Sequence, residues 1–188
     1  MNSLIAYLDT IYPMSDELKH HLLDIVKTAN VPKKEYILKP GHVCQNIYFI
    51  QSGLIRHFHM EGKDEITSCF MQENDIAYSA VSFYTQSCST EYIQALEHTE
   101  IHYISYGELQ HIFDMFSEFH VISRKLTVHY HTLRDQQDIM RRLPLAEDRY
   151  KYILNNRPEI ILRVPNKILA SYLGCTDVYL SIIKRGLF

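Results

Sequence analysis

The fold is decided by residues 164–188, VPNKILASYLGCTDVYLSIIKRGLF. Pro165 stands where a first helical residue often lies, and the segment after it supplies an apolar helical face. Gly174 follows that face at once and can take the positive φ that a sharp turn needs. Thr176 is a competent N-cap for a second helix. The segment therefore predicts two short helices joined by a tight turn, with apolar contacts from Ile168, Leu169, Ala170, Leu173, Leu180 and Ile183.

The spacing within this segment is typical of a helix-turn-helix. Ala170 lies four residues before Gly174, because the first helix needs a small side chain where the second helix crosses it. Leu180 lies six residues after the glycine and Ile183 three further, which are positions that pack the pair. An ordinary αα-hairpin is the alternative. The helix-turn-helix interpretation predicts DNA contacts from Lys167, Thr176, Asp177, Val178, Tyr179, Ser181, Ile182, Lys184 and Arg185.

The charge is divided unevenly along the chain. Residues 1–140 carry 10 Lys and Arg and 18 Asp and Glu, whereas residues 141–188 carry 9 and 4. The body is therefore acidic and the C-terminal segment has a net charge of +5. This division favours a C-terminal segment that meets phosphate.

Short β-branched and aromatic runs occupy residues 36–104. The turn pairs Pro40-Gly41 and Ser52-Gly53 break the first part, and EITSCFM, DIAYSAVSF, EYIQALE and EIHYIS follow at intervals of about ten residues. Such spacing predicts a β-sandwich, roll or barrel. A helix over residues 15–29, with Ser15 as its N-cap, is expected before this block. The fold class is therefore α+β, with a β-rich domain ahead of the helical segment.

Helical periodicity returns after Tyr106. Six residues spaced alternately four and three apart form an a/d seam, and Pro144 ends or bends the helix after it. His129 and Gln136 in this seam favour a helix that pairs with a second copy of the chain over one that packs on its own β domain. AEDRYKYILNN, after Pro144, predicts another helix. The seam residues are Ile122, Leu126, His129, Leu133, Gln136 and Met140.

Composition excludes several classes of protein. No apolar run reaches the ~18–20 residues of a membrane span, and residues 1–11 lack the basic start and cleavage site of a signal peptide. The four cysteines are far apart and form no CxxC pair, as expected of isolated thiols in the cytoplasm. GxSxG, P-loop and GxGxxG motifs do not occur in the sequence. We expect a protein that is not an enzyme and has no cofactor.

A metal-dependent enzyme of the cupin type is an alternative. His57 and His59 lie two apart on a predicted strand, and Glu65 follows. Two histidines on one strand face could bind iron or zinc. The spacing fits the cupin motif poorly, however, and exposed strand histidines are the simpler interpretation. A third hypothesis is an interaction module that has lost both ligand binding and base recognition.

Over nearly its whole length the chain resembles the Crp/Fnr family of bacterial transcription regulators. LRVPNKILASYLGCTDVYLSIIKR is similar to the helix-turn-helix of the branch common in Bacteroidetes, and QNIYFIQSGLIRHFH is similar to the early β-roll strands. The resemblance implies a β-roll sensor domain over 1–117, a dimerisation helix over 118–143 and a DNA-binding domain over 144–188. It also implies a homodimer on near-palindromic DNA, with RNA polymerase as a further partner.

The chain departs from this family where cyclic nucleotide is bound. Members that bind it carry a Gly-Glu pair and a later arginine for the cyclic phosphate, whereas these positions align with Tyr78, Ser79 and Ser89. Burying a phosphate without a positive charge is costly. The hydroxyls of Ser89 and Thr90 could bind something neutral or water. We expect a small-molecule effector, if there is one, to be other than cyclic AMP.

The second helix departs from the family too. Relatives often place a glutamate and an arginine on the face that contacts bases, whereas these positions align with Val178 and Ile182. Apolar side chains there could meet thymine methyl groups, so the DNA target should differ from that of the family. Loss of specific DNA binding is the alternative.

Overall fold

The computed structural model describes residues 3–187 and, for Leu187, the backbone only. Helices flank a central block of strands, and one short helix lies within that block. The helices are α1 Ser3–Ile11, α2 Asp16–Ile25, α3 Ala80–Thr85, α4 Tyr106–Met115, α5 Ser117–Arg141, α6 Ala146–Asn156, α7 Pro158–Arg163, α8 Asn166–Tyr172 and α9 Asp177–Leu187. The strands are β1 Lys27–Val31, β2 Tyr36–Leu38, β3 Asn46–Ser52, β4 Ile55–Glu61, β5 Asp64–Met71, β6 Ile76–Ala77, β7 Tyr92–Ala95 and β8 Thr99–Ser105.

The strands form two four-stranded sheets, in the orders β1-β8-β3-β6 and β2-β7-β4-β5. Strand β8 pairs antiparallel with both β1 and β3. The turn between β3 and β4 depends on Gly53, which has φ +105° and lies so near Thr99 that a Cβ would be 2.4 Å from its Oγ1. Ile50, Leu54 and Ile93 are fully buried in the core. The predicted β-roll is therefore confirmed.

Two predicted elements are wrong. The helix expected over residues 15–29 ends at Ile25, and the next residues form β1, because Lys27–Val31 pairs along its length with β8. The strand expected in DIAYSAVSF is only Ile76–Ala77, and α3 follows it. The extents of these two elements depend on strand pairing, which a local pattern of apolar residues does not reveal.

The start of α2 and the junction of α4 and α5 follow from local capping. Ser15 accepts from the backbone N–H of Leu18 at 3.2 Å, as predicted for an N-cap. Ser105 and Glu108 form a reciprocal capping box at the start of α4. Phe116 is extended and ends α4, so the apolar stripe after Tyr106 belongs to two helices rather than one.

The chain divides into two compact units. One contains the described residues up to His57 together with Phe70–His129, and the other contains Phe58–Cys69 together with the described residues from Tyr130 onward. The division falls inside α5, so each unit includes one part of this helix. Ile122 and Met140 of the predicted seam are fully buried within the chain, and His129 and Gln136 are exposed.

The second unit has a helical core. Leu169, Leu173 and Leu180 are fully buried in it, and Tyr150 is 1% exposed. The guanidinium of Arg149 donates to the backbone oxygen of Leu173 at 2.7 Å, which satisfies a carbonyl at the end of α8. Within residues 3–187, no helix is both long and apolar enough to cross a membrane.

Candidate DNA-binding surface and effector pocket

The turn between α8 and α9 has the predicted geometry. Gly174 has φ +62°, in the left-handed region that favours glycine. The N–H of Cys175 donates to the carbonyl of Ala170 at 3.0 Å, which closes the end of α8. Thr176 accepts from the N–H of Tyr179 at 3.1 Å and so acts as the N-cap of α9. The local chemistry of this segment thus determines the turn, as the sequence predicts.

Helix α9 has one buried face and one exposed face. Leu180 and Ile183 are 0% and 6% exposed and pack into the core of the second unit. Val178 is 73% exposed and Ile182 is 56% exposed. Because an α-helix has 3.6 residues per turn, Val178, Ile182 and the exposed Arg185 lie along one stripe. This stripe is on the opposite side of the helix from Leu180.

A polar network joins the two helices beside this stripe. The amide nitrogen of Asn166 in α8 donates to the Asp177 carboxylate at 2.5 Å and to the Ser181 hydroxyl at 3.2 Å. The ammonium of Lys184 donates to the amide oxygen of Asn166 at 2.7 Å. Asn166 was absent from the predicted site, since its role depends on how α8 and α9 cross. Three of the predicted DNA contacts therefore have partners inside the protein.

The basic side chains of this surface differ in their surroundings. Lys167 on α8 and Arg185 on α9 are exposed, as phosphate contacts require. Lys184 is half-buried, and burial lowers its pKa, while the nearby Asp177 acts in the opposite direction. Lys167 and Arg185 are therefore the cations of this surface that are most open to solvent.

The hairpin of β4 and β5 carries a second set of contacts to α8, which the sequence did not predict. The Ser171 hydroxyl donates to the carbonyl of Glu65 at 2.6 Å and accepts from the N–H of Thr67 at 2.8 Å. Arg141, at the end of α5, donates to the carbonyl of Ser68. The described hairpin residues from Phe58 to Cys69 belong to the same unit as the helix-turn-helix, so these bonds fix the position of α8 within that unit.

The residues predicted for an effector pocket lie in the first unit. Ser79 and Ser89 are both buried. The Ser79 hydroxyl donates to a carboxylate oxygen of Glu91 at 2.6 Å, and the Ser89 hydroxyl lies 3.3 Å from that of Ser79. Ser89 also donates to the Glu91 carbonyl at 3.0 Å and accepts from its N–H at 3.1 Å. The two serines thus form hydrogen bonds to both the carboxylate and the backbone of Glu91.

Two further side chains lie near this carboxylate. Nδ1 of His57 is 3.5 Å from the other oxygen of Glu91. Cys44 is fully buried, and its N–H donates to the hydroxyl of Ser82 at 2.8 Å. Burial raises the pKa of the Cys44 thiol, and the charge of Glu91 acts in the same direction. Neither His57 nor Glu91 was assigned to the pocket from the sequence, since both lie outside the aligned positions.

The other predicted pocket residues are placed differently. Tyr78 packs edge to face against Phe83 and Tyr84, with ring centroids 5.5 and 5.9 Å away, and burial raises its pKa. Thr90 is exposed. The structure therefore brings Ser79 and Ser89 together as predicted, with Tyr78 in an aromatic cluster and Thr90 in solvent.

The histidines of the cupin-type alternative are in different surroundings. His57 is buried against Glu91, whereas His59 and Glu65 are exposed. Among residues 3–187, no three His, Cys, Asp or Glu side chains are grouped so that they could hold a metal ion.

The β-rich part of the chain is similar to a known domain family. Residues 28–115 match the family model of the cyclic nucleotide-binding domain. No curated protein shows significant sequence similarity to the chain. Similarity over most of the chain, beyond this domain, is found among solved structures.

Three solved structures are similar over most of their length. The c-di-GMP-responsive global regulator CLP of Xanthomonas campestris has a TM-score of 0.73 at 17% identity, covering 92% of this chain and 91% of its own. FixK2 of Bradyrhizobium japonicum has a TM-score of 0.72 at 14% identity, covering 87% and 84%. A protein of Eubacterium rectale assigned to the crp/fnr family of transcriptional regulators has a TM-score of 0.72 at 16% identity, covering 94% and 86%. The chain therefore has the fold of these proteins, in which a β-rich domain like that which binds cyclic nucleotides is followed by C-terminal helices.

Proposed function

We propose that this protein is a transcription regulator of the Crp/Fnr type, of the branch common in Bacteroidetes. In this proposal it binds double-stranded DNA as a homodimer in the cytoplasm and is not an enzyme. The sensor part spans residues 1–117, the dimerisation helix 118–143 and the DNA-binding part 144–188. The observation that carries the proposal is the α8–α9 pair, with its glycine turn, buried Leu180 and Ile183, and exposed outer stripe.

The charge of the C-terminal segment supports this proposal. Nine Lys and Arg and four Asp and Glu lie within residues 141–188. Lys167 and Arg185 are exposed on the two helices of the motif. A recognition helix enters the major groove with its N-terminal residues towards the bases, while basic side chains around it bind the phosphates. The exposed stripe of α9 begins in its first turn, at Val178, as that arrangement requires.

Dimerisation is proposed through α5. Ile122 and Met140 are buried within the chain, whereas the four seam residues between them are not. Leu126 and Leu133 are half-buried there, and His129 and Gln136 are exposed. A Leu133→Arg substitution places a charge in that seam and is expected to give a monomer by analytical ultracentrifugation. Arg134→Ala, one residue along the helix, is the control and should leave the dimer intact.

Cyclic AMP does not fit the residues of the pocket. The positions that resemble the phosphate site carry serines, and these serines hold Glu91 and its carboxylate. A carboxylate at this place repels a cyclic phosphate, whereas a bound phosphate needs a cation or several donors. We therefore expect calorimetry to detect no saturable binding of cyclic AMP. Saturable binding with one nucleotide per chain would contradict this part of the proposal.

Selection of bound sequences from a pool of random DNA tests the main proposal. The full chain should enrich a pseudo-palindrome with half-sites about one DNA turn apart, as dimers of this motif do. Binding to the enriched duplex should weaken steeply with salt, because cations on the DNA are released. The slope of log K against log salt is negative. Each of the variants Lys167→Ala and Arg185→Ala should reduce its magnitude by about two, because each copy of the chain loses one phosphate contact.

Lys151→Ala is the matched control for these two variants. Lys151 is a partly exposed lysine of the same segment, but it lies on α6 and pairs with Glu147 at 2.7 Å. We expect its salt slope to equal that of the unchanged protein. Failure to enrich any duplex would overturn the regulator proposal and would favour the interaction-module hypothesis.

A further inference from the structure

The exposed stripe of α9 begins with two side chains that offer bases no hydrogen-bonding groups. Its first two members are Val178 and Ile182, which are 73% and 56% exposed. Neither side chain has a donor or an acceptor. Burial of side chains of this size against a partner is favourable. Their four-residue spacing puts both on the side of α9 opposite Leu180, which is fully buried.

The polar residues of the same helix are turned towards α8. Asp177, Ser181 and Lys184 all bond to Asn166, at 2.5 to 3.2 Å. The Ser181 hydroxyl also donates to the carbonyl of Asp177 at 3.0 Å. These bonds hold the three side chains against α8 and so restrict how they can reach base edges. The side chains of α9 that lie outside this network and are exposed include the apolar pair, Tyr179 and Arg185.

The major groove contains one apolar feature that such a pair can recognise. Of the four bases, only thymine presents a methyl group there, at C5 of its ring. 5-Methylcytosine carries a methyl group at the same ring position. Other base edges in the groove present donors and acceptors, which Val178 and Ile182 would leave unsatisfied.

We propose that Val178 and Ile182 recognise C5-methyl groups of pyrimidines in the major groove, so that the protein selects its DNA by methyl contacts at these positions. This inference rests on the proposed DNA-binding function and specifies its chemistry. It makes binding sensitive to the presence of a single methyl group, whether thymine or methylated cytosine supplies it.

The test uses the full chain and the duplex enriched from random DNA. Each thymine of a half-site is replaced in turn by deoxyuridine, which removes the methyl group and keeps base pairing. At the contacted positions we expect the affinity to fall roughly fourfold for each methyl group lost, as for a buried CH₂ group. Thymines outside those positions should tolerate the replacement.

Two variants assign the methyl contacts to residues. Val178→Ala and Ile182→Ala should each bind the thymine duplex more weakly and should lose the uracil effect at one position. Both side chains are exposed, so these truncations should leave the fold unchanged. Leu162→Ala is the control, since Leu162 is 87% exposed on α7. It should show the same uracil effect as the unchanged protein.

A third duplex distinguishes the two sources of the methyl group. Cytosine is placed at a contacted thymine position, with guanine opposite, and is compared with 5-methylcytosine. Tighter binding to the methylated duplex supports recognition of the methyl group from either pyrimidine. Equal binding to both overturns the proposal that a C5-methyl group is recognised whichever pyrimidine carries it, even where the effect of uracil at thymine positions persists.

The outcomes separate this inference from the function on which it rests. A duplex that is enriched and bound with a steep salt dependence, but equally well with uracil at every position, overturns methyl recognition and keeps the regulator proposal. A uracil effect that persists undiminished in both alanine variants also overturns it. If no duplex is enriched at all, the regulator proposal fails first and the inference fails with it.

Discussion

Replacing Gly174 by alanine should weaken the second unit by a predictable amount. Gly174 has φ +62°, a conformation that costs an L-residue with a side chain roughly 1–2 kcal/mol. Space does not add to this cost, because a Cβ would meet only a nitrogen of Arg149, at 3.9 Å. Alanine also restricts the unfolded chain, which offsets roughly 0.4–1 kcal/mol. The net loss in free energy of unfolding should be about 1 kcal/mol.

Thermal unfolding followed by circular dichroism is the assay. A loss of about 1 kcal/mol should lower the Tm by roughly 2–4 °C in a chain of this size. Gly174→Asn should lower it less, because asparagine tolerates the left-handed conformation better than alanine. DNA affinity should follow the fraction of α9 that remains folded.

Gly186→Ala is the matched control and should have the opposite sign. Gly186 lies inside α9, and a Cβ added there would project into open space. Alanine favours a helix more than glycine does, so its free energy of unfolding should rise by up to about 1 kcal/mol. A Gly174→Ala variant that is as stable as the unchanged protein, or more stable, would refute the argument from backbone conformation.

Three further predictions concern single side chains. Thr176→Ala removes the cap bonded to the N–H of Tyr179 and should lower the free energy of unfolding by about 1 kcal/mol in urea denaturation; an unchanged midpoint would contradict the cap. Ser171→Ala leaves the N–H of Thr67 without its partner and should cost about 1–2 kcal/mol in the same assay; a smaller loss than in Thr176→Ala would contradict this. Burial lowers the pKa of His102, so the unfolded chain takes up its proton first and stability should fall as the pH drops below about 6.5. Comparing Tm values at several pH values should show a flatter profile for His102→Gln.

The helix-turn-helix could be predicted from the sequence because its determinants are local. Gly174 and Thr176 set the turn through their own backbone and side chain. Leu180 and Ile183 are recognised as buried from helical spacing alone. The β-roll was predictable in class for a similar reason, since each short strand carries its own β-branched and aromatic residues.

Elements whose structure depends on distant partners could not be predicted. Lys27–Val31 continues an apolar helical pattern but pairs with β8, which lies far along the chain at Thr99–Ser105. Similarly, Glu91 enters the pocket because the chain just before β7 brings it beside Ser79 and His57. A glutamate in a polar stretch of sequence does not reveal which side chains it will contact. The sequence therefore indicated the two serines but not the Glu91 carboxylate that lies beside them.

Exposure and availability are different properties on the candidate DNA-binding surface. Helical spacing predicts DNA contacts from Asp177, Ser181 and Lys184 because it places them away from the buried face. A base contact that breaks the hydrogen bond of one of them to Asn166 gives up about 1 kcal/mol, or more when a charge takes part. Contact with a base must exceed that cost, whereas the side chains of Val178 and Ile182 give up no hydrogen bond when DNA covers them. Helix α9 therefore favours apolar contacts for a reason that lies in α8, outside α9 itself.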